Sequence, residues 1–160
     1  MRTRSYFKID KDDPAPLFCL VRRKVRFEEV DSMQVVWHGR YPSYLEDARV
    51  ELGNSLGIGY EDFKSRGYAI PIVRMNIDYL NPLRFAEEFT IEAKMHYTQA
   101  ARLNISYTLL RYATIIATAC TVQLITDHQG GLCLAAPDFY YDFCKQWKKG
   151  CMARMGSEYE

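Results

Sequence analysis

Hydrophobic and polar positions alternate along much of the chain, and the period changes once. Leu17, Cys19, Val21, Val25 and Phe27 fall on one side of an alternating run, with Arg22, Lys24 and Arg26 on the other. This is the two-residue period of a strand. Arg23 breaks it, a cation on the apolar side. From Gly39 the period lengthens: Tyr41, Leu45, Ala48, Leu52 and Leu56 share one stripe, with Tyr44 beside them. That spacing predicts an amphipathic helix ending at Gly57 or Gly59. Tyr60 to Arg66 can add a turn.

Alternation then resumes. Val73, Met75, Ile77 and Tyr79 predict one strand, Phe89 to Met95 a second and Leu103 to Leu109 a third. Ile115 to Ile125 is apolar on both faces, as suits a strand inside a sheet. Asp127 to Gly131 reads as a turn, and Leu132 to Ala135 as a possible extension of the sheet. Pro137 to Trp147 fits either a short helix or a strand. The predicted order is one strand, one long helix and four strands with short connections. It makes an α+β domain with an antiparallel sheet of about five strands covered by that helix. Residues 1–16 read as a lead-in arm, 17–147 as the domain and 148–160 as a polar tail.

Composition narrows the function. A net charge of +1 over 160 residues gives no field for nucleic acid or an anionic membrane. No apolar run is long enough to span a bilayer. Five cysteines, an odd number with no C-x-x-C pair, read as free thiols of a reducing cytoplasm. The N-terminal residues are charged and carry no signal-like apolar segment. Histidines 38, 96 and 128 form no metal-ligand spacing, and no metal or cofactor is expected. Nucleophile-elbow and phosphate-loop motifs are absent.

The chemistry concentrates in "VDSMQVVWHGRYPSYLEDARVELG", where a carboxylate, an indole and an imidazole precede the helix. An Asp ahead of a helix is most often a cap or turn residue. Asp31 lies too far before Gly39 to cap the helix directly. A helix N-terminus offers unpaired N–H groups and partial positive charge, which suit a developing oxyanion. A carboxylate beside it can attack a carbonyl or activate water. At His38 the backbone N–H is a better candidate than the ring, because the helix dipole disfavours imidazolium.

The run Asp31-Ser32-Met33-Gln34-Val35-Val36-Trp37-His38-Gly39-Arg40-Tyr41, with Glu46 and Ala48-Arg49 after it, resembles the signature of the hotdog-fold acyl-CoA thioesterases. It is most similar to the hydroxybenzoyl-CoA branch, which includes the Tol–Pal-associated thioesterases. The resemblance implies a hotdog fold, a long central helix wrapped by a curved antiparallel sheet, and hydrolysis of acyl-CoA to free acid and coenzyme A. It implies Asp31 as the catalytic carboxylate, nucleophile or general base, the His38 N–H as oxyanion donor, and sites shared between subunits of a homodimer or homotetramer. Trp37 and Tyr41, with Tyr44, form the expected acyl wall, open to an aryl ring or an alkyl chain. Arg74 is the expected contact to the coenzyme A phosphates, with Arg84 and Arg102 as companions. Gln34 stands where the signature has Gly, a difficulty if that position needs positive φ. The other reading is a non-catalytic acyl-CoA-binding subunit.

Overall fold

The computed structural model describes residues 6–152; residues 1–5 of the expected arm and 153–160 of the expected tail lie outside it. Strand β1 (Leu17–Lys24) leads through two 3₁₀ turns, Phe27–Glu29 and His38–Arg40, into helix α1 (Tyr41–Leu56). A short helix α2 (Tyr60–Lys64) and a two-residue strand β2 (Tyr68–Ala69) follow. Then come β3 (Ile72–Tyr79), β4 (Glu88–His96), β5 (Arg102–Arg111) and β6 (Thr114–Leu124). Strand β7 (Thr126–Asp127) and helix α3 (Asp138–Lys148) complete the described chain.

The main sheet has five antiparallel strands in the order β1-β4-β5-β6-β3. Helix α1 packs on β1 and β4. Its buried stripe is the predicted one, Tyr41, Tyr44, Leu45, Ala48 and Leu52. Pro42 sits in its first turn, where a missing N–H costs no bond, and Gly57 closes it with φ +69°. The inward residues of β4 (Phe89, Ile91, Ala93, Met95) and β5 (Leu103, Ile105, Tyr107, Leu109) form the core against it. Strand β6 is buried at nearly every position, as its two-faced apolar run predicts.

Arg23, the exception in the first strand, does face inward. It lies opposite the buried Phe89 and pairs with Asp47 of α1 and with Glu29, and its guanidinium lies 5.5 Å from the Tyr44 ring centre. The Glu29 carboxylate, 6 % exposed, also accepts the Arg26 N–H at 2.7 Å. A core cation is tolerated here because two carboxylates and an aromatic face surround it.

Several expectations need correction. Among the described residues the long helix is joined by two shorter ones: the extra turn after it is α2, and α3 is helical, settling the open reading of that segment, and packs Phe139 and Tyr140 against Phe63 of α2. Leu132 to Ala135 does not extend the sheet; Leu132 makes an isolated bridge to Thr126, beside a β2–β7 ladder too short to leave a period in the sequence. Val73 is exposed because the register shifts between Ile72 and Arg74. Phe27 is outside β1, exposed and edge-on to Phe85. The sheet face away from α1 is partly covered by the chain's own arm. Tyr6 of the arm bonds Asp78 at 2.5 Å and Thr118 at 3.0 Å across it, and Phe7 packs on His96. Burial and then Lys94 lower the His96 pKa, which favours the neutral ring there.

Removing Arg23 leaves a buried carboxylate without its cation. Arg23→Met is expected to lower unfolding free energy by about 2–4 kcal/mol. Asp47→Asn, at a more exposed partner, should cost under about 1 kcal/mol. Urea melts of the two variants check both values, and equal losses would remove the distinction.

Candidate active site

The chain from Val30 to Val36 forms a tight loop closed by an antiparallel bridge between those two valines. The Asp31 N–H donates to Val35 O at 2.9 Å and the Gln34 N–H to Asp31 O at 3.0 Å. The Met33 N–H donates to Asp31 Oδ1 at 2.8 Å. Asp31 is thus partly the turn residue its position suggested, with one carboxylate oxygen engaged locally. No hydrogen bond among the described residues engages Oδ2. The stems of the loop are fixed from outside: Trp37 N–H donates to Glu29 O at 2.9 Å and Val36 N–H to Leu83 O at 2.8 Å. Gln34 has φ +63°, the left-handed conformation that favours glycine.

The other stem enters the helix through the 3₁₀ turn His38–Arg40, which has no side-chain cap. Among the described residues the N–H groups of His38 and Gly39 donate to nothing. They are the unpaired donors expected at a helix start. The Trp37 indole folds over Gly39 so closely that an added Cβ would fall 2.4 Å from its ring. Trp37 remains 49 % exposed and its ring lies 5.3 Å from the His38 ring. From β3, the Tyr79 hydroxyl donates to His38 O at 3.0 Å, and its ring meets Tyr41 edge-on. A half-buried carboxylate and two free N–H groups therefore sit on one loop, with exposed aromatic surface beside them. The arrangement can attack or hydrate a carbonyl and hold the oxyanion.

Residues 25–146 match the family model described as the thioesterase-like superfamily. The chain belongs to the thioesterase-like superfamily. It is 31% identical over 110 residues to a 1,4-dihydroxy-2-naphthoyl-CoA hydrolase of Synechococcus elongatus, covering 68% of this chain and 81% of that protein. It is 38% identical over 64 residues to a putative acyl-CoA thioesterase of Bacillus subtilis, 40% of this chain and 46% of that protein. The chain spans about half the length of the first curated relatives it matches. Its fold matches that of the DHNA-CoA thioesterase from Staphylococcus aureus with a TM-score of 0.73 at 20% identity, covering 84% of this chain and 91% of that one.

In this thioesterase-like chain the predicted site residues do not all meet. Asp31, Trp37 and His38 share the loop and its helix stem. Tyr41 is close by but only 3 % exposed, wedged between Tyr44 and Tyr79. Burial, then Tyr79, pushes its pKa up to about 12, so it stays a neutral packing residue. Tyr44 is fully buried and belongs to the core, its hydroxyl raised in pKa by burial and then by Glu29. Arg74 lies on the sheet face away from α1, five positions before Tyr79 on β3, or about 17 Å along the strand. Arg84 is exposed in the β3–β4 connection. Sequence reasoning missed Glu29, Tyr79 and Leu83 as supports of the loop. Only the oddity of Arg23 hinted at the carboxylate.

Gln34→Gly should relieve the left-handed strain and raise stability by about 1 kcal/mol, read from the denaturant midpoint. No gain would mean that the relieved strain is no larger than the extra unfolded-chain freedom that glycine brings. Gly39→Ala should expel the Trp37 indole and change its fluorescence while leaving far-UV circular dichroism intact.

Proposed function

We propose that this chain hydrolyses acyl-CoA thioesters to free acid and coenzyme A. The observation that carries the reading is the Asp31 carboxylate on the same short loop as the unpaired His38 and Gly39 N–H groups. Asp31 attacks the thioester carbonyl, or takes a proton from the water that attacks it. The carbonyl oxygen, now negative, receives hydrogen bonds from the two N–H groups. Collapse of the tetrahedral species breaks the carbon–sulfur bond and releases the coenzyme A thiolate. Where Asp31 was the nucleophile, water then cleaves the resulting anhydride and restores the carboxylate. Trp37, exposed above Gly39, is the acyl wall, while Tyr41 stays in the core between Tyr44 and Tyr79.

The hydroxybenzoyl-CoA branch is our reading of the substrate class. It is supported by the Asp31-to-Tyr41 signature and by a relative whose name specifies an aromatic acyl-CoA. A cytoplasmic setting fits the five free cysteines. We also assign the working form to a homodimer, or a homotetramer built from it. Strand β3 is an edge paired on one side only, and Trp37, Tyr79 and Leu80 leave apolar surface exposed near the loop. Antiparallel pairing of two copies through β3 sets the start of one strand beside the end of the other. Arg74 of one copy then approaches the end where Tyr79 of the other meets His38.

Purified protein is expected to release free thiol from a panel of aryl and alkyl acyl-CoAs. Asp31→Asn should retain fold and oligomer and lose about 10²–10⁴-fold in turnover. Near-normal turnover in that variant would eliminate the carboxylate's role, and absence of thiol release by wild type would favour a binding subunit. Light scattering at micromolar concentration should give at least a dimer; a hydrolytic monomer would contradict a shared site.

A further inference from the structure

On the sheet face opposite α1, a cleft of about 540 Å³ opens between the arm and strands β3, β5 and β6. Arg74, Arg102 and Asn104 line its sheet side, and Lys8, Asp10 and Asp13 its arm side. The register explains the convergence. Arg74 pairs with Val122, Val122 pairs with Asn104, and Arg102 pairs with Leu124 one step along the same face. Neighbouring Leu103 and Ile105 point into the core, so Asn104 points the other way.

Asn104 is 4 % exposed, and its Oδ1 has no hydrogen-bond partner. A buried amide oxygen left without a donor is costly and calls for a partner. Neither Arg74 nor Arg102 has an ion-pair partner among the described residues. Of the two acids, Asp10 is matched by Lys8 at 3.1 Å, and Asp13 accepts the Asp10 N–H at 3.0 Å. Two unmatched guanidinium groups therefore share the cleft with one carboxylate that lacks a cation.

We propose that this cleft binds a phosphate-bearing small molecule. Arg74 and Arg102 grip the phosphate oxygens from two strands, and guanidinium forks suit that geometry. The Asn104 amide, which can turn either its C=O or its N–H inward, reads a hydroxyl or amine on the same ligand. The volume lies in the range of small-molecule sites and exceeds what one phosphate needs. Two sources supply this chemistry. One is the nucleotide end of coenzyme A reaching from the Asp31 site of a second copy, which rests on the function proposed above. The other is a free phosphorylated metabolite, which does not.

The test is calorimetric titration of the full chain with adenosine 3′,5′-bisphosphate and with pyrophosphate. Wild type should bind at least the bisphosphate at micromolar to millimolar concentration. Arg74→Ala and Arg102→Ala should each weaken it at least tenfold, while Lys24→Ala, exposed on β1 and outside the cleft, should change it less than twofold. No binding by wild type, or equal weakening by all three variants, would overturn the site. Kinetics then name the source. A rise in KM of Arg102→Ala for acyl-CoA but not for acyl-pantetheine assigns the coenzyme A nucleotide. Unchanged KM for both, with bisphosphate binding still lost, assigns a free metabolite. Equal rises for both substrates would show an effect on the fold and withdraw the proposal. The titration stands even if no thioester is hydrolysed, so failure of the site and failure of the thioesterase reading are distinguishable.

Discussion

The contact between Arg23 and its two carboxylates ties together the parts that build the candidate site. Arg23 belongs to β1, Glu29 to the turn before the acid loop, and Asp47 to α1. A nearly buried carboxylate at Glu29 is costly unless a cation and donors meet it. Arg23 and the Arg26 N–H do so. The residue held this way accepts, through its backbone oxygen, the N–H of Trp37. One electrostatic contact thus fixes both stems of the loop: the strand that enters it and the helix start that leaves it.

Two local constraints act within that frame. Gln34 is left-handed at the end of the turn closed by its N–H to Asp31 O, and the chain then brings Val35 O back to the Asp31 N–H. A side chain there stores strain of about 1–3 kcal/mol that glycine would avoid. Gly39 has the opposite logic. Its missing side chain lets the Trp37 indole lie against its Cα.

Periodicity made the fold legible, because alternation and the helical stripe report burial on one face. It located α1 and all five strands of the main sheet. It failed where periodicity carries no signal: the two-residue strands β2 and β7, the extruded Val73, and the arm, whose Tyr6 and Phe7 cover the outer face by single contacts. The site was legible as a cluster of residue types around Asp31, because its members are neighbours in the chain. Its supports were not, since Tyr79 and Leu83 reach the loop from 40 or more positions away through hydrogen bonds. Tyr41 shows the limit of reading aromatics as substrate walls. Its place on the buried stripe already favoured the core, and the core is where it lies. Charge and place about the strands single out Arg74, Arg84 and Arg102 in the sequence; the register brings Arg74 and Arg102, but not Arg84, to one cleft.

The central claim is that the Arg23 contact holds Asp31 and the helix N–H groups in one working geometry. A kinetic double-mutant cycle tests it most directly: kcat/KM for thioester hydrolysis by Arg23→Met, Asp31→Asn and their combination, at a temperature where all remain folded. In the proposed mechanism Arg23 touches no substrate and serves to position the loop. Its loss should lower kcat/KM in the wild-type background and by a smaller factor once Asp31 is gone, when only the N–H groups are left to misplace. Unchanged hydrolysis by Arg23→Met, or losses that multiply in the combined variant, would contradict the account.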